Sequence, residues 1–98
     1  MGIHLPVTPG ELAGQVAIVT GAGRNIGRAI ALELAAHGAS VGVNVRTNEQ
    51  EALDVVKAIE ELGARAAAVV GDIGDADHVE QVVRLTRNSL GPGFTLGL

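Results

Sequence analysis

The sequence predicts an α/β fold: a doubly wound parallel sheet of which only the first β-α-β-α-β-α half is present, in strand order 3-2-1. Three observations predict it. Short aliphatic runs alternate with segments of helical periodicity, and glycine marks most of the changes between them. The apolar content is 47% and is carried by small and branched residues, with one Phe, no Trp and no Tyr. Such residues suit parallel strands buried beneath close-lying helices.

Val16-Ala17-Ile18-Val19-Thr20 is a short apolar run that ends in glycine, as a buried parallel strand does. A glycine-rich turn follows, then a helix from about Ile26 to His37, with Ile26, Ile30 and Leu34 along one face and Gly38 as the stop. Ser40 to Val45 reads as the second strand. Asn48 has the character of an N-cap, and Glu51 three residues on completes a capping-box pattern. The second helix carries Ala52, Val55, Val56, Ile59 and Leu62 as a core stripe and ends at Gly63. Ala66 to Val70 makes the third strand. Asp75 is placed to cap a last helix bearing Val79, Val82, Val83 and Leu90. Strands separated by helices run parallel, with right-handed crossovers.

Ninety-eight residues suit one small domain. The segments are an N-terminal extension over 1–13, a half-domain over 14–92 and a divergent end over 93–98. A net charge of −4 leaves no basic face for nucleic acid or an anionic membrane. The absence of cysteine excludes disulfides and thiolate chemistry. No apolar run approaches the roughly 20 residues of a membrane span, and the start lacks the pattern of a signal peptide. A cytoplasmic protein is expected. His4, His37 and His78 have no ligand spacing, so no metal site is expected. Glu49, Glu51, Asp54, Glu60 and Glu61 read as the solvated face of a helix, and Asp75, Asp77 and Glu80 as a helix start.

The chemistry concentrates in Thr20-Gly21-Ala22-Gly23-Arg24-Asn25-Ile26-Gly27, between the first strand and the first helix. A turn in that place aims backbone N–H groups and the positive end of a helix dipole at an anion. Its spacing, G-x-G-x-x-x-G, is one residue longer than the common dinucleotide fingerprint. The plain alternative is that these glycines only let helix and strand pack closely.

With Leu12-Ala13-Gly14-Gln15 before the strand and Ile26-Gly27 after the turn, the sequence resembles the opening of the short-chain dehydrogenases/reductases. Their signature T-G-x-x-x-G-x-G falls on Thr20, Gly21, position 25 and Gly27, and the similarity runs from about Leu12 to Pro92. The middle glycine is here Asn25, the non-glycine residue that best tolerates left-handed backbone. The resemblance implies a Rossmann-like fold, a nicotinamide dinucleotide, and hydride transfer on a carbonyl or alcohol.

An NAD-specific unit of this kind usually ends its second strand with Asp or Glu. This chain has no carboxylate before Glu49; Arg46, followed by Thr47, stands one residue past the acidic position, and Arg24 lies inside the glycine turn. Family members that use NADP often carry basic residues at these two places. Charge-assisted contacts to a 2′-phosphate are worth roughly 1.5–3 kcal/mol each. NADP(H) is therefore favoured over NAD(H), the alternative being that both arginines are only solvated. Asp72-Ile73 matches the family pair that holds the adenine, with a turn role for Asp72 as the rival. The expected cofactor-binding residues are Gly21, Gly23, Arg24, Asn25, Ile26, Gly27, Arg46, Thr47, Asp72 and Ile73.

The family's reaction uses a Tyr, a Lys four residues later, a Ser and an upstream Asn. This chain has no Tyr, its one Lys is Lys57, and Ser40 and Ser89 lie elsewhere in the pattern. No catalytic residue is assigned. Past Asn88-Ser89-Leu90-Gly91-Pro92 an aliphatic fourth strand is expected, but the chain reads Gly93-Phe94-Thr95-Leu96-Gly97-Leu98, as a truncated or frame-shifted frame would. Without that strand, 16–20 becomes an apolar edge that invites self-association. The reading is the cofactor-binding half of an oxidoreductase, inactive alone. Its rivals are a non-catalytic nucleotide-binding or interaction module and a fragment that does not fold.

Overall fold

The computed structural model describes residues 12–74, 76–91 and the backbone of 95–97. The expected order of elements is present: β1 (Val16–Val19), α1 (Asn25–Ala36), β2 (Ser40–Val45), α2 (Glu49–Glu61), β3 (Ala66–Val70) and α3 (Ala76–Leu90). β1 and β2 pair in parallel with Val16 opposite Ser40, and β2 and β3 with Val41 opposite Ala66. The order β3-β2-β1 is the one expected. A cap at Asp75 lies outside the described residues.

One feature of the sheet differs from expectation. Thr95–Gly97 forms β4 and pairs with β1 in parallel, Val16 opposite Thr95 and Ile18 opposite Gly97, so the full order is β3-β2-β1-β4. Val16–Ile18 is therefore paired on the side where an open β1 edge was expected. Three residues suffice because a parallel ladder is built by backbone groups, to which the identity of the side chains is nearly indifferent.

The sheet has two unequal faces. Alternate residues of β1 and β2 (Ala17, Val19, Val41, Val43 and Val45) meet Ala31, Leu34 and Ala35 of α1 and Ala52, Val55 and Ile59 of α2 in the main core. The other face is thinner, with Ile18, Val69 and Val82 packed together beneath α3. Thr86 draws α3 onto that face. It is fully buried, its hydroxyl donates to the Val82 carbonyl at 2.8 Å, and it sits over Gly42, where a Cβ would lie 2.9 Å from its Cγ2. Among the described residues no helix is long and apolar enough to cross a membrane.

Three of the expected core positions lie at the surface. Ile26 is 66% exposed, Leu62 54% and Val79 40%. Each sits in the first or last turn of its helix or just beyond it. His37, the C-cap of α1, is buried and its Nε2 lies 3.2 Å from Glu33 Oε1.

Candidate nucleotide-binding site

Parallel strands all end on one edge, so the loops after β1, β2 and β3 converge there, and the last residues of β2 tie them together. The backbone N–H of Ala22 donates to the Asn44 carbonyl at 3.0 Å, which anchors the glycine turn. The N–H of Gly71 donates to the Val45 carbonyl at 2.9 Å, which anchors the loop after β3. Asn44 also uses its side chain. Its Nδ2 donates to the carbonyls of Val69 at 2.9 Å and Gly71 at 3.1 Å, and the residue is buried. A buried amide is tolerated because those donors are satisfied.

Within the glycine turn the residues have distinct duties. Gly21 has φ of +61°, with open space where a Cβ would be, so its glycine serves the backbone conformation. Gly27 serves close approach: a Cβ there would stand 2.1 Å from the Gly21 carbonyl oxygen. Asn25, at φ +57°, occupies the left-handed region in place of the glycine that the resemblance leads one to expect. No side chain caps α1, and its first turn holds no acidic residue. Its N-terminal N–H groups and dipole thus face the cleft without a carboxylate of their own helix.

The cleft has a volume of about 410 Å³ and is lined by Gly21, Gly23, Arg24, Val45, Arg46, Thr47, Asn48 and Glu51. Five of the residues singled out in the sequence, Gly21, Gly23, Arg24, Arg46 and Thr47, are thus brought together. Asn25, Ile26, Gly27 and Ile73 are not in the lining. Asn25 and Gly27 shape the turn, and Ile26 and Ile73 stand exposed at the same sheet edge. Asp72 reaches the cleft through Arg46, whose Nε lies 3.4 Å from Asp72 Oδ2. Its other oxygen accepts from the Gly74 N–H at 2.9 Å, which is the turn role held as the rival to adenine binding.

Sequence reasoning left Glu51 on the solvated face of α2, whereas the structure puts it in the cleft wall. Asn48 Oδ1 accepts from the Glu51 N–H at 3.2 Å, so the first half of the capping box is made. The Glu51 carboxylate turns instead to Arg24, with Oε2 4.0 Å from Nε. Its place three residues past an N-cap, in the helix that leaves the functional edge, was the available signal. Among the described residues no group of three His, Cys, Asp or Glu side chains could hold a metal ion.

Known proteins with this arrangement agree on the family. The family model described as short chain dehydrogenase matches residues 15–93. A hydroxynaphthalene reductase-like protein of Metarhizium brunneum is 51% identical over 83 residues, which cover 85% of this chain and 30% of the relative. A hydroxynaphthalene reductase of Aspergillus fumigatus is 44% identical over 73 residues, covering 74% of this chain and 27% of that one. The crystal structure of a hydroxysteroid dehydrogenase from Escherichia coli superposes with a TM-score of 0.79 at 38% identity, over 87% of this chain and 36% of that chain. A dehydrogenase/reductase from Sinorhizobium meliloti 1021 gives 0.81 at 42%, over 89% and 35%. The chain thus spans about 30% of the length of the first of these relatives. With the signature turn built as its residues required and the model matching most of the sequence, the chain belongs to the short-chain dehydrogenase family of oxidoreductases.

Proposed function

We propose that this chain is the cofactor-binding half of an NADP(H)-linked oxidoreductase that transfers hydride to or from a carbonyl or alcohol, and that it does not catalyse that reaction alone. The observation that carries the reading is the glycine turn and uncapped N-terminus of α1, facing a cleft that holds both Arg24 and Arg46. The turn offers N–H groups to a pyrophosphate. The two guanidinium groups offer a planar fork to a phosphate on the 2′ position of the adenosine ribose. Both side chains are more than three-quarters exposed, so neither is locked to its present carboxylate partner. Asp72 keeps acceptor capacity for the adenine amine, because each carboxylate oxygen can accept two hydrogen bonds. Ile73, exposed beside it, offers an apolar surface to the ring.

Hydride transfer at the nicotinamide needs an acid/base that these residues do not supply. The Tyr of the family's pattern is absent from the chain, and the one Lys, Lys57, sits on the outer part of α2. The chemistry then belongs to a longer parent or a partner chain. The printed names of the relatives, a hydroxynaphthalene reductase and a hydroxysteroid dehydrogenase, favour a fused-ring hydroxyl or ketone as the substrate class of that parent.

Calorimetric titration of the purified chain with NADPH and NADH tests the reading. Tighter binding of NADPH, lost in Arg24→Ala and Arg46→Ala, is expected. Equal binding of the two would overturn the NADP preference, and no binding of either would overturn the half-site itself.

A further inference from the structure

We propose that Glu51 is a specificity-determining residue of the cleft, one that weakens its preference for a 2′-phosphorylated nucleotide by holding Arg24 and by placing its own charge beside the site. The inference rests on the nucleotide-cleft reading above and goes beyond it, since Glu51 lies outside the signature turn and outside the end of β2.

Three observations place it there. Asn48 fixes the start of α2 through the Glu51 N–H at 3.2 Å, so the Glu51 side chain leaves the helix in its first turn, on the cleft side. Its Oε2 stands 4.0 Å from Arg24 Nε, and its side chain is 33% exposed, well below the 77% of Arg24. The glycine turn is also shaped to receive it. Gly23 is not in the left-handed region, so no backbone conformation calls for glycine there. What calls for it is space: a Cβ at 23 would stand 2.8 Å from Glu51 Oε2, and 3.0 Å from both Glu51 Cβ and Val45 Cγ1. The second glycine of the turn therefore makes room for an acidic side chain as well as for a ligand.

The consequence is electrostatic. A 2′-phosphate and the Glu51 carboxylate compete for one guanidinium, and they repel each other across a small cleft. A nucleotide without the 2′-phosphate meets neither effect, because Arg24 can stay with Glu51. The carboxylate thus narrows the gap between the two ligand types that Arg24 and Arg46 would otherwise open.

The test compares adenosine 2′,5′-bisphosphate with 5′-AMP, which differ only in the 2′-phosphate, by calorimetry on the full chain and on Glu51→Gln. The substitution keeps the shape and removes the charge. The ratio of the two affinities should rise roughly two- to fivefold, the span of a partly exposed ion pair. That gain should shrink in 0.5 M salt and in an Arg24→Ala background. An unchanged ratio overturns the inference, and so does a parallel fall for both ligands, which would make Glu51 a ribose ligand. If the wild-type chain binds neither compound, the nucleotide reading falls and this inference with it. If it binds both and Glu51→Gln is silent, only the inference about Glu51 falls.

Discussion

Two glycines of the same turn should fail differently when each is given a single methyl group. At Gly27 the added Cβ meets only backbone: the Gly21 oxygen at 2.1 Å, the Gly21 carbonyl carbon at 2.7 Å and Ala22 Cα at 3.1 Å. None of these can rotate away. α1 must withdraw from the end of β1 by roughly 1 Å before the contacts become ordinary, which weakens the packing of Ala31, Leu34 and Ala35 behind it. Overpacking of this kind costs about 1–3 kcal/mol, and a purely backbone obstruction belongs at the upper end. At Gly21 nothing lies within 4 Å of the added atom, and only the φ of +61° opposes it. That conformation costs a non-glycine residue about 1–2 kcal/mol. Urea unfolding followed by circular dichroism would measure both. Gly27→Ala is expected to lose about 3 kcal/mol, a large part of the roughly 5–15 kcal/mol available to a domain. Gly21→Ala should lose about half as much. Equal losses, or a Gly27→Ala chain as stable as wild type, would refute the close approach of α1 to the Gly21 carbonyl.

Further substitutions probe Asn25 and Asn44. Asn25→Gly should be neutral or gain up to about 1 kcal/mol in the same unfolding assay, whereas Asn25→Val should lose about 1–2 kcal/mol, because a β-branched residue resists the left-handed region. Asn44→Leu removes two donors from buried carbonyls and should cost about 1–3 kcal/mol, and Asn44→Asp should cost more, because a carboxylate would face those same carbonyls. An Asp variant as stable as wild type would show that the amide is not donating to Val69 and Gly71.

Much of the fold was legible because periodicity reports which side of an element is dry. The runs at Val16–Val19, Ser40–Val45 and Ala66–Val70 fell where they were expected, as did the stripe of Ala52, Val55 and Ile59. Periodicity says nothing about how far the sheet extends beneath a helix. Ile26, Leu62 and Val79 continue their stripes in sequence but stand exposed. It also overlooks polar residues that pack. Thr86 breaks the apolar pattern of α3, yet it is fully buried because its hydroxyl bonds its own helix and its methyl fills the space above Gly42. β4 was unreadable for a related reason: Thr95-Leu96-Gly97 has neither the length nor the alternation of a strand, and its pairing depends on the free backbone edge of β1. In the site, the turn and both arginines were legible from type and spacing. Glu51 was not, because a carboxylate at the start of a helix is also what a solvated helix would carry.

The site owes its shape to β2 more than to the glycine turn for which the family is recognised. A central parallel strand has neighbours on both sides, so its last carbonyls meet the loops that leave both flanking strands. Asn44 and Val45 each hold one of those loops by a backbone bond, and the Asn44 amide adds one bond to the second at Gly71 and one to β3 at Val69. Arg46 then leaves the sheet as the cleft wall, and Asn48, two residues later, sets the start of α2 and with it the position of Glu51. Five consecutive residues thus place the phosphate turn, the loop bearing Asp72, one guanidinium and one opposing carboxylate. Side chains alternate along a strand, so a one-residue slip of β2 would exchange Asn44 for an aliphatic neighbour on the same face and undo all four placements together. Changes at the start of α1 lack that reach over the site, because they act on the glycine turn and on the packing of α1 behind it.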